Sequence, residues 1–205
     1  MDFIKSIISE ESKYAPIVIN DAVVRSAITI MFNPFFWNVV GRVEFSTHIL
    51  TKITGCKRYA CYLFAVVVFT LGIFRDYLYY AALKTQPTAP ILDNSIVRLL
   101  GWGVAGFGHV LVLSSMYALG VTGTYLGDYF GILMDHKLES FPFSFCNNPM
   151  YVGSTLSFLG VALHEGKAVG IALSLLVWII YRIGLVFEEP FTDFIYSNRK
   201  DKKTE

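Results

Sequence analysis

The run Leu99–Leu119 constrains the chain more than any other stretch, because its 21 residues carry no formally charged side chain. As an α-helix it would measure about 31 Å, the thickness of a bilayer's hydrocarbon core. Backbone polar groups in hydrocarbon must pair within their own segment, so such a run is a helix and the chain around it a membrane protein. The composition agrees. Only 16% of the 205 residues are charged and 54% are hydrophobic, whereas soluble domains carry about 25% charge. The net charge of +1, without a basic face, argues against a nucleic-acid partner. Cys56, Cys61 and Cys146 form an odd set without CxxC spacing, which indicates neither a disulfide framework nor a zinc site. No metal constellation is apparent.

The other apolar runs are less clean. Ile17–Val40 is interrupted by Asn20, Asp21, Arg25 and Asn33-Pro34. Pro34 ends or kinks a helix, and a tilted span and an interfacial or re-entrant helix both fit the pattern. The N-terminus lacks the uninterrupted apolar core of a signal peptide, so this first segment does the targeting and stays in the mature protein. After a polar connection, Tyr59–Phe74 gives 16 apolar or small residues flanked by Arg75-Asp76. Lys84–Asn94, with Pro87 and Pro90, reads as a loop. Gly120–Asn148 holds four glycines and a cluster of Asp128, Asp135, His136, Lys137 and Glu139, and reads as an interfacial loop with short helical pieces. Met150–Leu163 and Ala168–Tyr181 are 14 residues each and meet at His164-Glu165-Gly166-Lys167, which predicts a tight helical hairpin. The expected fold is therefore all-α: one polytopic membrane domain over residues 1–205, with about three transmembrane helices plus a C-terminal hairpin.

Lys and Arg set the orientation. The side holding the Gly41–Arg58 loop collects Arg42, Lys52, Lys57, Arg58, Lys137, Arg182, Arg199, Lys200, Lys202 and Lys203. The other side has Lys5, Lys13, Arg75, Lys84, Arg98 and Lys167. The positive-inside rule places the first side, and with it the C-terminus, in the cytosol.

Four polar features stand out. Glu188 and Glu189 adjoin an apolar run, where ionisable groups are costly and point to function. Being consecutive, they cannot share a helix face, so one can face a ligand while the other faces a cation or solvent. Two carboxylates at a helix C-terminus also oppose the macrodipole, which favours a cationic ligand or neighbour. Asn148-Pro149 has the form of an N-cap and first helical residue, an end that either binds an anion or simply starts the helix. Gly106-Phe107-Gly108 is a GxG within the best span; small residues there serve close helix packing or a cofactor. His109 beside it reads as a packed or hydrogen-bonded core histidine. Asp128 and Tyr129, between Gly127 and Gly131, form a polar pair beside an interface.

MFNPFFWNVVGRVEF (Met31–Phe45), QPT (Gln86–Thr88), VLVLSSMYALGVTGTYLGDYFGIL (Val110–Leu133), FPF (Phe141–Phe143), NNPMYVGSTLSFLG (Asn147–Gly160) and EEPFTDFIY (Glu188–Tyr196) follow in this order. Together they resemble the phospholipid N-methyltransferases that make phosphatidylcholine, in particular the fungal branch acting on phosphatidyl-N-methylethanolamine. The resemblance implies methyl transfer from S-adenosylmethionine to a lipid headgroup amine, with the phospholipid in the bilayer as partner. It implies cofactor binding at Gly106, Phe107 and Gly108 and at Glu188 and Glu189. The glycines lie deep for a charged cofactor: either it enters a cavity between helices, or the glycines open that cavity by close packing. Asp128, with Tyr129, is assigned to orienting or deprotonating the headgroup amine.

NPMYVG also resembles the RHPxYxG pattern of isoprenylcysteine carboxyl methyltransferases, but Asn147-Asn148 stand where that pattern has Arg-His. A carboxyl methyltransferase of that kind, or a non-catalytic lipid-binding membrane protein, are the alternatives. Lys202-Lys203 near the C-terminus resemble a dilysine retrieval signal and imply the endoplasmic reticulum membrane, with a mitochondrial membrane as the other candidate. Which of the three methylation steps the chain performs is not written in these motifs.

Overall fold

A computed structural model describes residues 16–135 and 138–201, with side chains through Asn198. Lys5, Lys13, His136, Lys137 and the Lys202-Lys203 signal lie outside the described residues. Among the described residues every regular element is helical: α1 (Asp21–Thr47), α2 (Ile49–Thr54), α3 (Lys57–Lys84), α4 (Ser95–Thr124), α5 (Pro149–Glu165) and α6 (Ala168–Asp201). Short 3-10 turns occupy Pro90–Leu92 and Gly127–Phe130. Four helices are long and apolar enough to cross a membrane: α1, α3, α6, and α4 continued to Phe130. At 17 residues α5 is about 25 Å long.

The flawed first segment is a single helix of 27 residues, long enough to span. Asn20 caps it, its side-chain oxygen accepting from Val23 N at 3.1 Å. Pro34 sits inside without ending it. Neighbouring side chains meet polar groups around that turn: Asn38 Nδ2 donates to Pro34 O (3.0 Å), and Asn33 Nδ2 donates across to Leu71 O of α3 (3.1 Å). At the other end the fully buried Glu44 accepts from Leu50 N and Thr51 N at 2.7 and 3.1 Å. A carboxylate from α1 thereby satisfies free N–H groups at the start of α2.

Two expected boundaries move. Arg75-Asp76 do not flank a span; α3 carries on to Lys84, leaving Arg75 buried inside the bundle. Its charge is tolerated there because Asp76, the Tyr181 hydroxyl and the Phe158 ring surround it. Nor does the last helix stop at Glu188-Glu189. It runs through Pro190 to Asp201, so those carboxylates do not oppose a helix end. Arg42 Nη2 donates to Phe187 O (2.7 Å) and its guanidinium lies over the Phe191 ring, supporting the turn that Pro190 disturbs. The C-terminal hairpin forms as expected around Gly166 in the left-handed conformation, but its arms are 17 and 34 residues rather than 14 each.

The closest helix contact is α4 against α5. A Cβ on Gly101 would lie 2.7 Å from Gly160 O, and one on Gly108 would lie 2.5 Å from Gly153 O. Gly101, Ala105 and Gly108 share one face of α4, and Gly153 and Gly160 share one face of α5, so the two backbones touch. α4 then kinks at Gly120, whose φ of 64° suits glycine. Two apolar clusters fill the bundle. One centres on Tyr79, Leu83, Phe158 and Tyr181; the other centres on Phe64, Tyr129, Phe130 and Ile195. Many large apolar side chains are exposed, among them Phe35, Val66, Phe69 and Trp102, as on a surface solvated by lipid.

Candidate active site

Helical spacing puts Tyr181, Leu185 and Glu188 on the buried face of α6, while Glu189 turns outward. Glu188 is 8% exposed. It accepts hydrogen bonds from Trp37 Nε1 (2.6 Å), Asn38 Nδ2 (2.8 Å) and the Tyr151 hydroxyl (2.5 Å). Trp37 and Asn38 stand in the turn after Pro34 in α1, and Tyr151 stands in the first turn of α5. Three helices thus converge on one carboxylate. All its donors are neutral, and no Lys or Arg among the described residues forms a salt bridge with it.

A cavity of about 350 Å³ opens beside this carboxylate. Glu188, Trp37 and Tyr151 line one part, with Asn147 and Asn148 of the preceding loop. Arg75, Asp76, Ser154 and Tyr181 line another. Val68, Phe69 and Gly72 of α3 and Val112, Met116 and Leu119 of α4 form apolar walls. The Tyr151 and Tyr181 rings, 4.7 Å apart, tie the two polar parts together. A second hollow of about 410 Å³ lies against Glu189, Arg182 and Trp178 and shares Asn148 and Tyr151 with the first.

The predicted site residues distribute unevenly. Glu188 and Glu189 point into different hollows, as consecutive helical residues must. Asn148 occupies the N-cap position of α5 but makes no capping bond; its side chain instead donates to Glu189 Oε1 at 2.9 Å. The GxG does not line the cavity, which meets α4 from Val112 onward. Gly108 is pressed against α5, a methyl group added at Gly106 would meet nothing within 4 Å, and Phe107 meets the Phe145 ring edge-on. His109 is exposed rather than in the core, with Nδ1 2.7 Å from Ala105 O. Asp128 and Tyr129 do not line the cavity either. Asp128 accepts from Thr192 Oγ1 at 3.1 Å, and Tyr129 fills the space over Gly41 and against Phe191. Trp37, Asn38 and Tyr151 were missed as site residues. Their only sequence signal is polar or amphipathic side chains beside two prolines, Pro34 and Pro149.

The fold and cavity define a class: a polytopic helical membrane protein with a hydrogen-bonded carboxylate, in no salt bridge among the described residues, buried beside an apolar-walled cavity. Residues 96–199 match the phospholipid methyltransferase family. The chain is 54% identical over 176 residues to phosphatidyl-N-methylethanolamine N-methyltransferase of Saccharomyces cerevisiae, covering 86% of this chain and 85% of that protein. It is 48% identical over 186 residues to the enzyme of the same name from Schizosaccharomyces pombe (90% and 95%). Against phosphatidylethanolamine N-methyltransferase of Mus musculus it is 47% identical over 176 residues (86% and 88%). No solved structure matches it. The chain belongs to the phospholipid methyltransferase family, and is an enzyme of the membrane.

Proposed function

We propose that this chain transfers methyl groups from S-adenosylmethionine to the headgroup amine of phosphatidylethanolamine-type lipids, mainly the mono- and dimethylated forms, giving phosphatidylcholine. The observation that carries this reading is Glu188: a buried carboxylate, held by three neutral donors, facing a cavity with apolar walls. Its charge attracts a cation, and both the methyl donor and the lipid amine are cationic in solution. When bound, the donor supplies an electrophilic methyl on a sulfonium.

The protein's part is positioning and exclusion of water, which are major contributions to an in-line displacement. Trp37, Asn38 and Tyr151 fix the carboxylate of Glu188, so little reorganisation is needed when charge arrives. Asn148 bridges the cavity lip to Glu189 and keeps the two hollows in register. The walls from α3 and α4 give acyl chains an apolar path to the bilayer. Glu188, rather than Asp128 with Tyr129, is the group that faces the amine, and it takes the proton the ammonium must lose before its lone pair can attack the methyl. The chain resides in the endoplasmic reticulum membrane with its C-terminus in the cytosol, the side on which the Asn148 loop and the far end of α6 then lie.

The test is methyl transfer in membranes carrying the protein. Labelled S-adenosylmethionine is offered with phosphatidylethanolamine, its mono- and dimethyl forms, and a prenylcysteine. Label entering the amine lipids is expected; label entering only the prenylcysteine would overturn the reading.

A further inference from the structure

The lipid reading accounts for the Glu188 part of the cavity but leaves its other polar part without a task. Arg75 lines that part from α3 and is 9% exposed. Its Nε and Nη2 donate to Asp76 Oδ1 (3.0 and 2.9 Å), and its Nη1 donates to the Tyr181 hydroxyl (2.6 Å). The Phe158 ring lies 4.9 Å from the guanidinium carbon. A guanidinium has five N–H groups, so two find no hydrogen-bond partner among the described residues. An arginine this deep is costly, and one that meets a cavity marks a ligand path more often than a strut.

Tyr181 adds a second donor. Its oxygen accepts from Arg75 and lies 3.2 Å from Ser154 Oγ. Either hydroxyl of that pair can turn its proton toward the cavity, since both residues line it. Asp76 does not close the site, because its side chain is 58% exposed.

We propose that Arg75, backed by Tyr181, is an oxyanion-holding pole of the cavity, so that a zwitterionic ligand lies with its cation at Glu188 and its anion at Arg75. The proposal rests on the function proposed above. Two oxyanions have this chemistry: the phosphodiester of the lipid and the carboxylate of the methyl donor. The lining of the cavity favours the phosphodiester. Glu188 lies with Asn147 and Asn148 at one end, Arg75 lies toward the hairpin turn beside Tyr181, and Val68, Phe69 and Gly72 of α3 with Val112 and Met116 of α4 flank the stretch between them. A phospholipid has chains to place against those apolar walls, whereas the methyl donor has none beside its carboxylate.

The experiment uses the full chain in nanodiscs of phosphatidylglycerol and measures binding as well as turnover. Arg75→Gln is compared with the native chain for displacement of a labelled dimethylated lipid, for S-adenosylhomocysteine affinity, and for thermal unfolding. Loss of a charged hydrogen-bonding partner predicts about ten- to hundredfold weaker binding of whichever ligand carries the oxyanion. Weaker lipid binding with unchanged S-adenosylhomocysteine affinity assigns the phosphodiester; the reverse assigns the carboxylate. The native chain gives an independent reading if the variant does not fold. It should bind a lipid with an uncharged phosphotriester, or S-adenosylhomocysteine without its carboxylate, correspondingly more weakly. The proposal is overturned if a folded Arg75→Gln binds both ligands normally, or if the native chain tolerates both neutralised ligands. A native chain that binds the lipid but methylates none would sink the function and leave the pole standing.

Discussion

Glu188→Gln is the perturbation whose consequence follows most directly from the geometry. The carboxylate accepts three hydrogen bonds, all from neutral groups. Glutamine keeps one carbonyl oxygen but turns an amide NH2 toward donors, so at least one of Trp37, Asn38 and Tyr151 loses its acceptor. Leaving such a buried group unpaired costs about 1–3 kcal/mol of stability. The larger loss concerns the ligand. A hydrogen bond to a charged group contributes about 1.5–3 kcal/mol, roughly 10- to 150-fold in binding. Initial rates against both substrates, with S-adenosylhomocysteine affinity and thermal unfolding on the same preparation, separate these effects. Glu189→Gln is the comparison. Glutamine there can still accept from Asn148 on the outer face of α6, so a charged bond becomes a neutral one, a difference of about 1–1.5 kcal/mol and about tenfold at most. If folded Glu188→Gln keeps kcat/KM within about threefold of the native chain, less than ~1 kcal/mol, the cation seat is not at Glu188.

Gly108→Val should lower thermal stability by about 1–3 kcal/mol or more through overpacking against α5, whereas Gly106→Ala, facing open space, should raise it by up to about 1 kcal/mol. A Gly106→Ala chain that is stable but has lost S-adenosylhomocysteine binding would instead bring the open face of α4 into the cofactor site. Tyr129→Phe should be neutral or slightly stabilising and retain turnover, because the buried hydroxyl has no hydrogen-bond partner among the described residues and does not line the cavity; abolished turnover with normal folding would refute that placement. Cys56 occupies the N-cap position before α3, and the backbone N–H groups of Tyr59 and Arg58 hold its thiol below the usual range, which raises its thiolate fraction at neutral pH. In sealed microsomes a membrane-impermeant maleimide added outside should label a single-cysteine Cys56 chain; labelling only after permeabilisation would invert the topology. Dimethylated lipid should be used at least about tenfold better than unmethylated lipid, one charged hydrogen bond's difference, and equal use of all three lipids in the transfer assay would refute this.

The spans and the carboxylates were legible in the sequence because both are local statements. A 21-residue uncharged run is a helix whatever surrounds it, and two adjacent glutamates must face apart. What was not legible depended on partners distant in the chain. Arg75 reads as the edge of a span until Tyr181, 106 positions away, is seen beside it. Glu188-Glu189-Pro190 reads as a helix end until Arg42 supports the following turn. The 3.6-residue period alone separates Gly106 from Gly108, but only the position of α5 decides which of them is covered. Trp37, Asn38 and Tyr151 carry no motif of their own; they become a site through one carboxylate that three helices bring to the same place.

If Glu188 seats the amine as proposed, the neutral donors around it have a functional logic. A lysine or arginine in that position would cancel the charge and leave an incoming cation nothing to bind. Three neutral donors stabilise the anion while leaving its net charge in place. They also nearly exhaust its capacity, since a carboxylate offers about four acceptor positions and three are taken. One position remains, which suits a dimethylated ammonium with one N–H better than an unmethylated one with three. Each methyl added therefore trades an N–H that the seat cannot satisfy for apolar surface beside Trp37, Tyr151 and the walls from α3 and α4. On the proposed function, a preference for methylated lipids would come from the same hydrogen bonds that hold the carboxylate, and weakening any one donor should relax it.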